Sequence, residues 1–169
     1  MFFLVAVGRG AQEDMLTPEQ HEAAFNRLAD LADVVPMRIK VTEAPPYRRV
    51  LAQRGGTRVP PPVLGGRGFM FISHDGQVCP SGFLPMPAGN VRERSPVDLY
   101  NHSELFTSIR DPERLKGKCG RCEFRAMCGG SRARAWAATG DPLAEDPTCI
   151  HQPSESAGAG GTRRYAPPS

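Results

Sequence analysis

The sequence predicts two folds in succession: an α/β fragment with a parallel sheet, then a small, loop-rich α+β domain. Two observations support this prediction. Residues 1–54 follow the order strand, helix, strand, helix, which is typical of a parallel βαβ unit. Four cysteines stand further along in a single run with the spacing C-x2-C-x5-C-x20-C: Cys119, Cys122, Cys128 and Cys149. Four thiolates at such spacing can bind a metal and so order a segment with few apolar residues.

The first part of the chain carries the signals of two strands and two helices. Residues 2–7 form an apolar run of the kind found in buried parallel strands, and residues 37–42 predict a second strand. Between them, Thr17 is placed to cap a helix, and Gln20 completes a capping box. A short helix follows the second strand. Two strands do not make a stable parallel sheet alone, so this part is expected to belong to a larger α/β domain.

The rest of the chain divides by composition. Residues 55–67 are rich in proline and glycine and predict a linker, and residues 152–169 have the composition of a disordered tail. The second domain lies between them, over residues 68–151. Its residues 74–77 (HDGQ) predict a hairpin turn, and two short helices are expected after it. The helix that follows the third cysteine is expected to end at Gly140, a suitable C-cap.

The overall composition excludes several classes of protein. The chain has 169 residues, of which 17 are proline and 18 are glycine, and its net charge of +3 is too small to indicate a nucleic-acid partner. No apolar stretch is long enough to span a membrane, and the opening MFFLVAVGRG lacks the features of a secretory signal. A reducing cytoplasm is therefore expected, where clustered cysteines are metal ligands and not disulfides.

The cysteine spacing leaves the kind of metal open. Four thiolates suit either one [4Fe–4S] cluster or one tetrahedral zinc ion, and unliganded thiols are a third reading. Zinc ribbons generally repeat the C-x2-C pair, whereas here the second half is C-x5-C and a distant single cysteine. A zinc-stapled interaction module, in which the metal only folds the domain, is the competing prediction.

Local charge favours the cluster, because a [4Fe–4S]2+ core with four thiolates is anionic. Basic residues between Glu113 and Arg134 outnumber the two acidic ones, Glu113 and Glu123, and glycines interleave the ligands. Glycines let backbone N–H groups approach sulfur closely, although a solvated basic face remains the simpler reading. The fifth cysteine, Cys79, is predicted to be a small buried hydrophobe in the return strand of the hairpin; a second site is the alternative.

Several motifs together resemble a known family. ISHDGQVCPSGFLP, AGNVRE and KGKCGRCEFRAMCGGSRARAWAATGDPLAEDPTC are similar to the C-terminal SPASM/twitch-type domain of radical SAM enzymes, in the branch that includes NirJ and the alternative heme-pathway enzymes. The resemblance covers about residues 68–151. VGRG and KVTEAPPYRR more weakly resemble the last third of the radical SAM partial barrel, which is a partial TIM-like barrel.

This resemblance implies that the four cysteines bind one auxiliary [4Fe–4S] cluster, used for electron relay or for shaping a substrate pocket. The full SPASM pattern adds ligands for a further cluster. Ser131 and Arg132 stand where one of those ligands is expected, and Ser81 stands where another is expected. One auxiliary cluster is therefore the prediction.

The C-x3-C-x2-C triad that binds the SAM-cleaving cluster does not occur in the sequence, where Cys79 is the only cysteine before Cys119. We therefore expect a fragment or truncated product of a radical SAM enzyme, inactive alone; a degenerate relative is the alternative. SAM and a second [4Fe–4S] cluster would belong to the full-length enzyme. Its substrate, peptide or tetrapyrrole, is not specified by these residues. A flavodoxin or ferredoxin is the electron donor that the family implies.

Three further residues are candidates for contact with SAM or substrate in the full barrel. Arg9, Glu43 and Arg48 lie at or just beyond the carboxyl ends of the two predicted strands, where α/β proteins collect ligands. The simpler reading is ordinary solvation of loops and helix faces. His151, two residues after Cys149, is predicted to be a surface histidine; a position bordering the cluster is the alternative.

Overall fold

The computed structural model describes residues 1–55, 59 and 64–154. Within them the helices are α1 (Pro18–Val34), α2 (Pro45–Gln53), α3 (Pro96–His102), α4 (Glu104–Arg110), α5 (Gly117–Arg121) and α6 (Arg132–Thr139). The strands are β1 (Leu64–Gly65), β2 (Gly68–Phe69), β3 (Phe71–Ile72), β4 (Gln77–Cys79) and β5 (Gly89–Asn90). Short 3-10 turns lie at Gln12–Asp14 and Pro112–Arg114. The predicted tail beyond residue 154 and most of the predicted linker lie outside the described residues.

Helix α1 begins as the sequence predicts. The hydroxyl of Thr17 accepts from the backbone N–H of Gln20, and the Gln20 side chain accepts from the Thr17 N–H, so both halves of the capping box form. The helix ends at Val34, before Pro36. Its buried side chains pack against α2 and the N-terminal segment in one cluster: Phe3, Phe25, Leu28, Ala29, Ala44, Tyr47 and Val50.

The two predicted N-terminal strands are reduced to a single parallel bridge. Phe2 pairs with Thr42, and the Phe3 N–H donates to the Thr42 carbonyl at 3.1 Å. Burial alternates along the first segment, with Phe3 and Val5 inside and Phe2 exposed, whereas the sequence predicted continuous burial. Met37 is exposed as well, so only part of the second segment packs inward. A parallel pair needs neighbours to lengthen, and the described residues provide none at this edge.

The second part contains two small sheets. β1 and β2 are parallel, and β1 occupies the end of the predicted linker, which is thus ordered at Leu64–Gly65. β3, β4 and β5 form an antiparallel sheet in that order, with Ile72 opposite Val78. The predicted hairpin is confirmed, and its return strand buries Cys79. Val78, Leu99 and Phe106 form the core between this sheet and the pair α3–α4.

Helix α6 joins the two parts of the chain. It is capped by Ser131, whose hydroxyl accepts from the Arg134 N–H, and it ends at Gly140 in the left-handed conformation, as predicted. Its Ala133 packs with Val5 and Leu84 in a third cluster, with Trp136 beside it. The N-terminal segment is thereby held against the cysteine-bearing segment. No helix among the described residues has the length and apolar character that a membrane crossing requires.

Candidate metal centre

All four cysteines of the predicted motif line one cavity. Cys119 lies in α5, Cys122 directly follows that helix, Cys128 follows a turn, and Cys149 returns in the loop after α6. The cavity holds about 370 Å³ of empty space, part of it open to solvent. The three cysteines that are close together in the sequence and the distant fourth cysteine therefore meet at one site.

Glycine permits the tight approach of the chain to the sulfurs at one position in particular. Gly130 has φ of +65°, in the left-handed region, and a side-chain carbon there would stand 3.0 Å from Cys119 Sγ and 2.8 Å from Asp146 Cβ. A larger residue would have to displace either the thiol or the buried aspartate.

Backbone N–H groups are directed at three of the four sulfurs. Phe124 donates to Cys122, Gly130 to Cys128 and Asp146 to Cys119, each at 3.4 Å from N to Sγ. Such N–H···S contacts favour the anionic form of a sulfur and are among the features that tune cysteine-bound iron. The prediction that glycines bring donors to sulfur is confirmed at Gly130; the other two donors are Phe124 and Asp146.

Two arginines of the basic run lie inside the protein. Arg132 places Nη2 at 3.6 Å from Cys119 Sγ, while its Nη1 donates to the carbonyls of Pro142 and Ala144 at 2.9 and 2.7 Å. Arg134 and Asp146 form an ion pair at 3.5 Å in which both side chains are 0% exposed. Burial tends to raise the pKa of Asp146, but Arg134 and hydrogen bonds from Ser131 and Thr148 hold it below its usual range.

The excess of positive charge in this segment is smaller than its sequence suggested. Acidic residues from outside the segment form ion pairs with several of its basic side chains. Arg114 pairs with Glu104 at 2.6 Å, and Lys116 with Asp141 at 2.6 Å. Lys118 lies 3.8 Å from Glu145 and donates to the Cys149 carbonyl. The simple picture of an unopposed basic face is therefore wrong: tertiary contacts neutralise much of it.

Burial makes the metal-free thiols weak acids. It raises the pKa of Cys122 to about 11, and it raises the pKa of Cys128 and of Cys149 as well. Metals bind thiolates, so loading this site releases protons and becomes more favourable as the pH rises.

The spacing of the sulfurs fits a cluster better than a single ion. Among the described residues, the one group of three candidate ligand side chains whose ligand atoms all lie within 4.8 Å of each other is Cys122, Glu123 and His151. No three of the cysteine sulfurs therefore approach that closely. Around one zinc ion, with Zn–S bonds of ~2.3 Å, tetrahedral geometry would place thiolates only about 3.8 Å apart. The thiols as they stand are therefore not gathered around a position for one zinc ion.

His151 belongs to the site, so its prediction as a surface residue is wrong. It lines the cavity, stacks edge-on against Phe124, and lies 3.0 Å from Glu123 through Nε2. Its position two residues after Cys149 was the available signal. Phe124 packs against His151 at the site, whereas Trp136 packs in the cluster around Val5.

The structure separates the three candidates for SAM or substrate contact. Arg9 is exposed in the turn at residues 8–9. Glu43 instead contacts the cysteine segment: its carboxylate accepts from the Ser131 hydroxyl at 3.2 Å, and burial raises its pKa. Arg48 is buried and donates to the Met127 carbonyl at 3.3 Å. Two of the three thus brace the loop that carries the cysteines.

Sequence reasoning missed Arg49, which follows Arg48 on α2. Arg49 lines the same cavity as the four cysteines and forms an ion pair with Glu22 of α1. Burial tends to lower the pKa of Arg49, but Glu22 and the neighbouring Cys149 and Cys128 raise it on balance. Adjacent arginines on a short helix gave no signal of a role, because neither is near a cysteine in sequence.

Known proteins match the chain over most of its length. It is 40% identical over 168 residues to the AdoMet-dependent heme synthase of Methanosarcina barkeri, which covers 92% of this chain and 48% of that protein. It is 40% identical over 174 residues to the AdoMet-dependent heme synthase of Oleidesulfovibrio alaskensis, with 94% and 45% covered. A PqqA peptide cyclase of Xanthomonas axonopodis pv. citri is 36% identical over 103 residues, with 57% and 28% covered.

No protein-family model matches the chain. The chain spans about half the length of the two heme synthases. Proteins of the radical SAM/SPASM type therefore match this sequence, in agreement with the resemblance that its cysteine motif predicts.

Proposed function

We propose that this chain is the cluster-binding C-terminal portion of a radical SAM enzyme, and that Cys119, Cys122, Cys128 and Cys149 bind one auxiliary [4Fe–4S] cluster. The observation that carries the proposal is the shared cavity: four cysteines line it, three of their sulfurs accept backbone N–H groups, and no three lie within 4.8 Å. Bound there, the cluster would supply one-electron chemistry or a rigid support for a substrate pocket.

The residues around the cavity limit the chemistry that a bound cluster could perform. With four cysteines as ligands, no iron is left open to bind substrate directly. Arg132 stabilises a thiolate at Cys119, and the Arg134–Asp146 pair orders the loop that returns to Cys149. Electron relay, with a flavodoxin or ferredoxin as donor, or a structural role then remains. In either role SAM cleavage would require the C-x3-C-x2-C triad that this sequence does not contain.

Anaerobic reconstitution tests the metal assignment. We expect about four irons per chain, a broad charge-transfer absorption and an EPR signal on reduction. The reconstituted chain alone should produce no 5′-deoxyadenosine from SAM. A colourless protein with one zinc would contradict the cluster, and 5′-deoxyadenosine from this chain alone would contradict its accessory role.

The zinc-stapled module is the second candidate, because Cys122, Glu123 and His151 lie close enough to share one ion. Its ligand set differs from that of the cluster, so His151→Gln separates the two. Zinc binding should weaken strongly in His151→Gln, whereas iron content should remain at about four per chain if the four cysteines hold the cluster.

For the substrate class we propose a tetrapyrrole. The heme synthases match more than nine-tenths of this chain, whereas the peptide cyclase matches little more than half. An absorption titration of the reconstituted chain with heme should show a saturable shift of the heme band, also in His151→Gln. Absence of any shift, with a peptide perturbing the EPR signal instead, would reverse this assignment.

A further inference from the structure

Arg49 reaches the cysteine cavity from the other part of the chain. It lies on α2, some seventy residues before the first ligand Cys119, yet it lines the cavity together with all four cysteines. Its side chain is 3% exposed. A cation placed there is desolvated, so its partners decide what it contributes.

Two of the three side-chain nitrogens of Arg49 donate hydrogen bonds to residues other than the cysteines. Nη1 donates to Glu22 Oε1 at 3.0 Å and to Gln53 Oε1 at 2.6 Å, and Nη2 donates to the second oxygen of Glu22. This is a bidentate pair between α1 and α2. It fixes the plane of the guanidinium and leaves two of its five N–H groups, that of Nε and the second one of Nη2.

The remaining Nε–H is buried and has no hydrogen-bond partner among the described residues. A buried donor without an acceptor destabilises a protein by roughly 1–3 kcal/mol. The cavity that Arg49 lines is also lined by all four cysteines, whose sulfurs can accept a hydrogen bond.

We propose that the Nε–H of Arg49 donates to a cysteine sulfur of the bound cluster, and that the Glu22–Arg49 pair thereby sets the cluster's reduction potential. The inference rests on the proposed function and deepens it. Cys119 has its own cation, Arg132, from within the cysteine segment; Arg49 supplies the second from the α/β part.

The direction of the effect follows from charge. Reduction adds an electron to an anionic core, so a nearby donor and positive charge favour the reduced form. Glu22 partly cancels that charge. Loss of Arg49 should therefore lower the potential, and loss of the Glu22 carboxylate should raise it. Opposite shifts from the two halves of one ion pair distinguish tuning from a general loosening of the fold.

The test is an EPR-monitored redox titration of the reconstituted chain. In Arg49→Gln we expect the ratio of reduced to oxidised cluster at a fixed potential to fall about tenfold, which is ~59 mV for a one-electron couple. Glu22→Gln should raise that ratio, and Arg49→Lys should recover part of it. The matched control is Arg54→Gln, because Arg54 and Asp30 form the second, more exposed ion pair between α1 and α2.

The outcomes separate the two proposals. If wild type binds no iron–sulfur cluster, the proposed function fails. If wild type and variants load iron equally and neither Glu22→Gln nor Arg49→Lys moves the potential beyond the Arg54→Gln control, the inference about Arg49 is overturned and the cluster stands. If Arg49→Gln loads less iron, the potentials of Glu22→Gln and Arg49→Lys still test the inference about Arg49.

Discussion

The two ends of this chain are stabilised in opposite ways. In residues 1–55 the interior is aromatic and aliphatic, with Phe3, Phe25 and Tyr47 packed between α1 and α2. In residues 116–151 the interior holds two arginines, an aspartate and thiols, and the side chains of Arg134 and Asp146 are 0% exposed. The first region is built on a hydrophobic cluster, although His21, Arg48 and Arg49 are buried there as well. The second buries groups that prefer water.

This difference shows what a bound metal would contribute. Apolar burial stabilises the first region without any ligand. The second region depends on hydrogen bonds and buries thiols whose pKa values burial raises, so it gains most from a metal that takes up their thiolates. We therefore expect metal loading to change the stability of the two regions unequally, and four substitutions test this.

The largest effect is expected from Cys128→Ser, which removes a ligand buried at the cavity wall. Iron content should fall from about four per chain to near zero, and amide exchange over residues 116–151 should accelerate while α1 and α2 stay protected. Iron analysis and hydrogen exchange measure the two parts. Cys79→Ser is the control, because Cys79 is buried in β4 outside the cavity, and it should retain full iron. Loss of iron there instead would make Cys79 a ligand.

Phe25→Ala should have the converse effect. The side chain is almost fully buried in the N-terminal cluster, so its removal should lower the free energy of unfolding by about 3–5 kcal/mol. Urea denaturation measures the loss, and the cluster absorption per folded chain should not change. Phe69→Ala, at an exposed position, should change little. A bleached cluster in folded Phe25→Ala would show that the two regions are not separable.

Gly130→Ala should act on the cysteine region alone. A left-handed φ strains any other residue, and the added carbon would meet Cys119 Sγ and Asp146, so we expect a loss of about 2–3 kcal/mol together with weaker iron binding. Gly140→Ala is a matched control: its φ is +75°, but nothing lies within 4 Å of the added carbon. It should cost only the backbone strain, about 1 kcal/mol, and leave iron binding intact.

The smallest effect is expected on the pH dependence of the free energy of unfolding. Burial lowers the pKa of His21 below its usual 6.5, so the unfolded chain takes up a proton there before the folded chain does. His21 therefore stabilises the fold fully above pH 6.5, and this contribution is lost as the pH falls below that value, by up to ~1.4 kcal/mol per unit. Denaturation at several pH values measures the slope. His21→Gln should flatten it; an unchanged slope in His21→Gln would contradict this assignment.

Local signals in the sequence predicted the helices well. The Thr17 capping box, the 74–77 turn and the Gly140 C-cap each depend on neighbouring residues, so they form as predicted. The N-terminal strands were predicted less well, because strand length depends on partners that local sequence does not show. The parallel-barrel origin of that part stays a prediction.

The residues of the candidate site also fall into those that the sequence predicted and those that it did not. Its four cysteines were identified from spacing alone, but Arg49, Glu22 and the buried Arg134–Asp146 pair were not. Each of these groups meets its partner across at least twelve residues, and no periodicity or motif encodes such a contact. For the same reason, the sequence overestimated the net positive charge around the cysteines.

The sequence by itself determined the ligands: their number, type and spacing are chemical properties of the chain, and thiolates bind metal wherever they converge. The tertiary structure decided how those sulfurs are held. It sets their arrangement around one cavity, their burial, their N–H donors and the cation from α2 that lines the same cavity. These properties depend on which distant groups share the cavity, and only packing of the folded chain brings them together.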